Sequence, residues 1–248
     1  MGRAEFGNAI YFPLFLQWFY DTLVLGFICP RAWGCPEDVL QGHYSKHVSS
    51  LSAVPRPRLL DIGVGTGHFI EHAPLALGTT VILADINENP LTEARGRIKR
   101  THKDVDVDVV LADVFELGDD KTSSSVRLSD AGGNGSFDVI SCMLLLHCLS
   151  GEGCRKGEAV ARLCRLLKPG GAVVGATVLG SGVKHNTFGK LLMSVYNFSG
   201  VFHNEGDCTG DIIQPLEAAF ERVEFRVVGT TLLFEAKSPR TPGVAYNF

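Results

Sequence analysis

The sequence predicts a doubly wound α/β fold, a seven-stranded and mostly parallel sheet with helices on both faces. Three observations carry this. A short apolar run at 59–62 passes at once into Gly63-Val64-Gly65-Thr66-Gly67, the layout of strand, tight loop and helix. Apolar runs of strand length then alternate with stretches of helical length. The last third holds two strand-like runs, 222–228 and 230–237, separated by Gly229, as in an antiparallel pair.

Length and composition set the frame. The 248 residues suit one α/β domain with embellishments. With 45% hydrophobic and 20% charged residues the chain can bury a full core, which excludes intrinsic disorder. A net charge of −4 argues against a nucleic-acid partner. The seven cysteines form no CxxC pair and most sit in apolar stretches. They read as buried reduced thiols, and the expected location is cytoplasmic.

The chain opens with nine of its 22 aromatic residues before position 35, both tryptophans among them. A membrane span over 9–29 is interrupted by Pro13, Gln17, Asp21 and Gly26, and a central aspartate is costly in hydrocarbon. A signal peptide is disfavoured by Arg3 beside Glu5 and by the lack of a small-x-small site. Gln17 and Asp21 are one helical turn apart, so a helix entered at Pro13 carries one polar stripe. Such a helix either packs onto the core or covers a cleft.

In the glycine loop the spacing is Gly-x-Gly-x-Gly. A dinucleotide site would need glycine at 68, which is His68. With Asp61 close by, the loop suits a ligand with an amino-acid tail such as S-adenosylmethionine. A second strand, 79–84, closes at Asp85, placed to accept ribose hydroxyls. A third, 107–112, ends at Asp113-Val114, on the adenine side. A fourth, 137–141, runs into Cys142 and on to His147. A helix over 155–167 stops at Lys168-Pro169-Gly170-Gly171, and 172–178 forms the fifth strand. The Ser-, Asp- and Gly-rich stretch 118–136 reads as a surface loop.

These motifs identify a resemblance. From 59 to 237 the sequence resembles the class I S-adenosylmethionine-dependent methyltransferases: LLDIGVGTG is similar to that family's first motif, ADIN to its ribose-binding acid, LADVF to its adenine-side acid and LLKPGG to its post-helix turn. Tyr20-Asp21, Trp33-Gly34-Cys35-Pro36 and Tyr44 resemble a small-molecule, natural-product subgroup. The resemblance implies a Rossmann-like fold and S-adenosylmethionine as cofactor. Its site would comprise Asp61, Gly63, Gly65 and Gly67 at the methionine tail and Asp85, Ile86 and Asn87 at the ribose. Asp113 and Val114 would lie at the adenine, Cys142 nearby, and Tyr20 or Tyr44 would close over the carboxylate.

The fourth strand narrows the substrate. It continues as Ser141-Cys142-Met143-Leu144, without the Asp/Asn-Pro-Pro-aromatic turn of enzymes that modify base or amide nitrogens and without a Pro-Cys nucleophile. Asp104, Asp106 and Asp108 alternate at a strand entry and read as a solvated edge, so no metal is expected. A hydrophobic small molecule methylated on oxygen, in secondary metabolism, is the expected substrate. The alternative is a chain that keeps the pocket but works as a cyclase or a non-catalytic subunit. His147 and His185 are the candidate catalytic groups. Trp18, Trp33, Tyr196 and His203 are the candidate substrate and lid residues. The expected organisation is an aromatic helical cap at 1–55, a core at 56–237 with a lid insert at 180–210, and a tail at 238–248.

Overall fold

The computed structural model describes residues 21–119, 121–130 and 133–240. Its sheet has seven strands in the order β3-β2-β1-β4-β5-β7-β6. β1 (Arg58–Ile62), β2 (Thr80–Asp85), β3 (Asp106–Leu111), β4 (Phe137–Met143) and β5 (Leu167–Val178) run parallel. β7 (Thr231–Pro239) is antiparallel to both β5 and β6 (Phe220–Val228). The strand order reverses between β1 and β4, and a crevice at the carboxyl ends of the strands forms at such a switch point.

The central strands are buried on both faces, as their near-continuous Val, Ile and Leu content requires. In β1, Leu59 joins the core on one side of the sheet, with Tyr44, Ile70 and Leu91, while Leu60 and Ile62 join the other, with Ile140, Leu163 and Ile212. β3 is an edge strand on which Asp106 and Asp108 are exposed, so charge on the open ladder opposes pairing with another chain.

The helices cover both faces. α1 (Glu37–Ser49), α2 (His68–Glu71) and α3 (Glu88–Thr101) belong to the first side, preceded by a π-helical segment, Val24–Trp33. α3 buries Pro90, Leu91, Ala94 and Ile98 as one stripe and ends in Lys99 and Arg100, favourable at the negative end of its dipole. α4 (Ser123–Asp130), α5 (Gly153–Arg162), α6 (Thr187–Ser199) and α7 (Thr209–Ala219) complete the set.

α5 and α7 pack closely for a local reason. Pro215 inside α7 has no N–H, so the Asp211 carbonyl one turn back loses its helical partner. The α5 backbone approaches that oxygen at Gly157, where a Cβ would stand 2.1 Å from it. The pair is then linked to the segment after α6: Lys156 Nζ, fully buried, donates to Asp207 Oδ2 at 2.6 Å and to the His203 carbonyl at 2.7 Å.

Several elements differ from the sequence expectations. The helix expected over 155–167 is α5 followed by a 3-10 turn, Leu163–Leu166, and β5 already begins at Leu167. Lys168-Pro169-Gly170-Gly171 lies inside that strand as a register shift between the pairs Phe137–Leu167 and Val139–Ala172, since proline is tolerated in a sheet at an irregularity. α4 occupies part of the expected loop 118–136. β7 runs to Pro239, two residues past its expected end. Of the seven cysteines only Cys29, Cys35 and Cys142 are buried, and Cys148 and Cys154 are exposed; all seven are unpaired thiols. No described helix is long and apolar enough to cross a membrane.

Candidate active site

The glycine loop leaves β1 at the switch point. Gly63 donates its N–H to the Ala84 carbonyl of β2 at 2.8 Å, which holds the loop across two strand ends. Gly63 and Gly67 have φ of 69° and 75°. The dihedral angle favours glycine at both, and at Gly67 a Cβ would also stand 2.9 Å from Ala94 Cβ and 3.0 Å from its Cα in α3, leaving no room for a side chain. Gly65 differs, because a Cβ there would have nothing within 4 Å. The middle of the loop faces open space.

Asp61 lies beneath the loop, 5% exposed. Parallel pairing sets it opposite Ser141 of β4. The Ser141 hydroxyl donates to Asp61 Oδ1, and the hydroxyl of Tyr44, reaching down from α1, donates to Oδ2 at 3.4 Å. Burial pushes the Asp61 carboxyl up to about 6, with these two hydrogen bonds pulling the other way. The same burial, together with the Asp61 charge, drives the Tyr44 hydroxyl well above its usual range. Tyr44 is therefore a neutral donor beneath the site.

Asp85 closes β2, half-buried, and accepts the Asn87 N–H at 2.9 Å. Burial pushes its carboxyl up to about 6, against the hydrogen bonds from Asn87 and Ile86. Ile86 beside it is 61% exposed. Asp113 follows β3, its carboxylate accepts the Phe115 N–H at 2.9 Å, and its own N–H donates to Ser124 Oγ at 3.0 Å. Val114 is buried behind it. Parallel register thus brings the three acids to one end of the sheet. Cys142 is fully buried, its thiol directed to the Val174 carbonyl at 3.6 Å and its pKa raised by burial, so it remains protonated and is not a nucleophile.

β4 is followed by Leu144, a non-glycine residue at φ 54° whose N–H bonds the Ala176 carbonyl of β5 at 2.7 Å. Held in this sparsely populated region, the chain turns across the strand ends to His147. His147 is 5% exposed; its Nδ1 accepts the Val178 N–H at 3.3 Å and lies 3.3 Å from the Thr177 hydroxyl. Burial, and then the charge of Lys156, push its pKa down to about 3. An imidazole with Nδ1 committed to a backbone donor is a neutral strap between β4 and β5, which argues against the expected role in proton transfer.

His185 is arranged differently. Its Nε2 bonds the Leu179 carbonyl at 3.0 Å, so Nε2 carries the proton and Nδ1 keeps the lone pair. Nδ1 is buried with no hydrogen-bond partner among the described residues. The ring lies edge-on to Trp33 at 6.1 Å.

The expected lid residues have separate places. Trp33 is 2% exposed and packs on Phe202 at 5.8 Å, and its carbonyl accepts the Thr230 N–H at 2.7 Å. It is a core residue that packs against the segment after α6, a correction to its expected place in a lid. Tyr196, on α6, is half-buried against Phe202 at 4.9 Å. His203 lines a cleft of about 770 Å³ between the start of α5 and the segment that follows α6, with Cys154, Phe198, Phe202 and Asp207. Trp18 and Tyr20 lie outside the described residues. Among those described, no group of three or more His, Cys, Asp or Glu is arranged to hold a metal.

The sequence did not reveal what surrounds the loop. Asp21 (8% exposed) accepts the Thr66 hydroxyl at 2.6 Å and Arg97 Nη1 at 2.6 Å. A polar residue in an aromatic run was a signal for Asp21. Nothing in the pattern of α3 singled out Arg97 from its other basic residues.

Comparison with known proteins agrees with this geometry. A family model described as a methyltransferase domain matches residues 60–173. The chain is 34% identical over 238 residues to the methyltransferase verB of Penicillium polonicum, covering 90% of this chain and 94% of that one. It is 35% identical to the physcion biosynthesis cluster O-methyltransferase of Aspergillus chevalieri, covering 96% and 97%. Among solved structures, the N-methyltransferase NodS of Bradyrhizobium japonicum in complex with S-adenosylhomocysteine shares the fold, with a TM-score of 0.54 at 17% identity over 82% of this chain and 88% of that one. Sheet order, glycine loop and full-length likeness to the two fungal proteins agree, and the chain belongs to the class I S-adenosylmethionine-dependent methyltransferases of the natural-product type.

Proposed function

We propose that the chain methylates an oxygen atom of a hydrophobic small molecule in secondary metabolism, with S-adenosylmethionine as donor. The observation that carries the cofactor reading is the row of carboxylates Asp61, Asp85 and Asp113 beside a loop whose Gly65 faces open space. The residues fit that cofactor. Asp61 with Gly63, Gly65 and Gly67 suits the ammonium of the amino-acid tail, and Asp85 with Asn87 suits a ribose diol. The exposed Ile86 gives adenine an apolar face, with Asp113 and Val114 at its edge. When bound, the cofactor supplies an electrophilic methyl group on a sulfonium.

The chain's own part is alignment and proton handling. Methyl transfer is an in-line displacement, so holding the acceptor in line supplies much of the acceleration. His185 is the group suited to take the acceptor's proton, because the Leu179 carbonyl fixes its tautomer and leaves Nδ1 as an unshared base. Oxygen as acceptor is supported by the physcion cluster O-methyltransferase, which resembles this chain over nearly its full length. An apolar acceptor is supported by α6, which exposes Phe188, Leu191, Val195 and Phe198 at helical spacing.

The test is a calorimetric titration with S-adenosylmethionine and S-adenosylhomocysteine, with NAD as control, followed by a screen of phenols read by S-adenosylhomocysteine release. Micromolar binding of the first two and turnover that falls about a hundredfold in His185→Gln, the lower end of what general-base catalysis contributes, is the expected result. No binding removes the cofactor reading. Binding with full activity in His185→Gln removes the base.

A further inference from the structure

We propose that Asp21, Thr66 and Arg97 form a clasp that holds the glycine loop in its ligand-binding shape, making Asp21 and Arg97 positioning residues for the cofactor. The inference rests on the reading of that loop as the cofactor site.

Inside the loop one backbone hydrogen bond, from the Gly67 N–H to the Val64 carbonyl at 2.9 Å, closes over Gly65 and Thr66. Thr66 sits between Gly65 and Gly67, at φ 53° and 75°, and glycine loses more conformational freedom on ordering than any other residue. Thr66 is also gripped from outside at both ends. Its hydroxyl donates to Asp21 Oδ1 at 2.6 Å, and its carbonyl accepts from Arg97 Nη1 at 3.3 Å. The same Nη1 donates to Asp21 Oδ2 at 2.6 Å, closing a ring through three residues that are 45 and 76 positions apart from Asp21 in sequence.

The clasp is braced on every side. Arg97 Nε binds Glu71 of α2, whose other oxygen accepts the Thr101 hydroxyl at 3.3 Å. His68 Nδ1 lies 3.5 Å from Asp21 Oδ2, and its Nε2 lies 2.8 Å from Glu37 of α1. Burial alone would push the Asp21 carboxyl up, yet hydrogen bonds from His68, Thr66 and Arg97 hold it below the usual carboxylate range. Asp21 is thus a charged acceptor at neutral pH, the state the clasp needs.

The functional consequence follows from population arithmetic. A ligand that binds only the ordered loop has an apparent affinity reduced by the fraction of molecules in which the loop is ordered. Opening the clasp should therefore weaken cofactor binding. Losing a stabilising ion pair with no link to the loop would lower the melting temperature and leave affinity alone.

The experiment is calorimetric titration of the full chain with S-adenosylhomocysteine, with thermal unfolding of each variant. Asp21→Asn and Thr66→Val should each weaken binding about tenfold or more. The double variant should be no weaker than the worse single one, since both open the same ring. Thr66→Ser, which keeps the hydroxyl, should restore wild-type affinity. Lys168→Met breaks the Lys168–Asp138 pair (2.7 Å) at the opposite end of the sheet, and should lower the melting temperature without changing affinity. Wild-type affinity in Asp21→Asn and Thr66→Val overturns the clasp, as does a Thr66→Ser protein that binds as poorly as Thr66→Val. Failure of the wild-type chain to bind removes the cofactor reading and the clasp with it, a result distinct from either.

Discussion

Replacing Ser141 with alanine tests whether Asp61 works as a carboxylate. The Ser141 hydroxyl and the Tyr44 hydroxyl are the two donors on that buried group, and they oppose the burial that pushes it up to about 6. A hydrogen bond to a charged acceptor contributes about 1.5–3 kcal/mol, and one pKa unit corresponds to about 1.4 kcal/mol. Losing the serine should therefore raise the Asp61 pKa by about one to two units. The ionised fraction at pH 7 would drop from about nine-tenths to a half or less. If the ionised form attracts the ligand's ammonium, the affinity for S-adenosylhomocysteine declines in acid. Its midpoint should move from near pH 6 to between about 7 and 8, while affinity at pH 9 stays within about twofold of wild type. Asp85 also titrates near 6 but does not touch Ser141, so its contribution stays in place. Calorimetric titrations in half-unit steps from pH 5 to 9 would read the shift. A midpoint that stays put or moves downward refutes the argument, because then neither the hydrogen bond nor the charge of Asp61 matters to binding.

Three further outcomes follow from the packing. Lys156→Met leaves Asp207 buried without its cation and should cost about 3–5 kcal/mol in urea unfolding; Lys156→Met with Asp207→Leu should recover most of it. Gly157→Ala puts a methyl group against the Asp211 carbonyl and should destabilise by about 1–3 kcal/mol, read as a lower melting temperature, with binding of S-adenosylhomocysteine retained. His147 has a folded pKa of about 3, below its unfolded value of 6.5. The unfolded chain therefore binds the extra proton between those values, and the contribution of His147 is complete above pH 6.5 and lost as pH falls. Unfolding free energy should decline by up to about 1.4 kcal/mol per pH unit from this group alone. His147→Gln should flatten that slope, and an unchanged slope would mean the imidazole is not held neutral.

How much was legible in the sequence differs from element to element. The glycine loop, the acids Asp61, Asp85 and Asp113, and the closing hairpin at Gly229 were readable because each is a local rule: a tight turn needs glycine, a parallel strand ends in a capping or ligand-facing acid, and two strand-like runs one glycine apart pair antiparallel. The stretch 167–171 was misread because proline and two glycines signal a turn in isolation, whereas in the sheet they form an irregularity that β4 accommodates. The helix at 123–130 was missed because its Ser-rich composition shows no clear apolar period.

The two histidines show where local reading stops. In the sequence His147 and His185 were equivalent candidates. The structure separates them through the backbone groups they meet: the Val178 N–H, 31 positions on, donates to Nδ1 of one, and the Leu179 carbonyl, six positions back, accepts from Nε2 of the other. The same holds for Asp21, Thr66 and Arg97, which meet only because the chain before α1 returns to the loop after β1. By itself the sequence determined the family, the succession of parallel strands and the glycine loop, since these depend on patterns within a few positions of each other. Only the tertiary structure decided which titratable groups are committed and which are left unpaired. A side chain's ionisation and hydrogen bonding are set by desolvation and by partners tens of residues distant, and no local pattern encodes either.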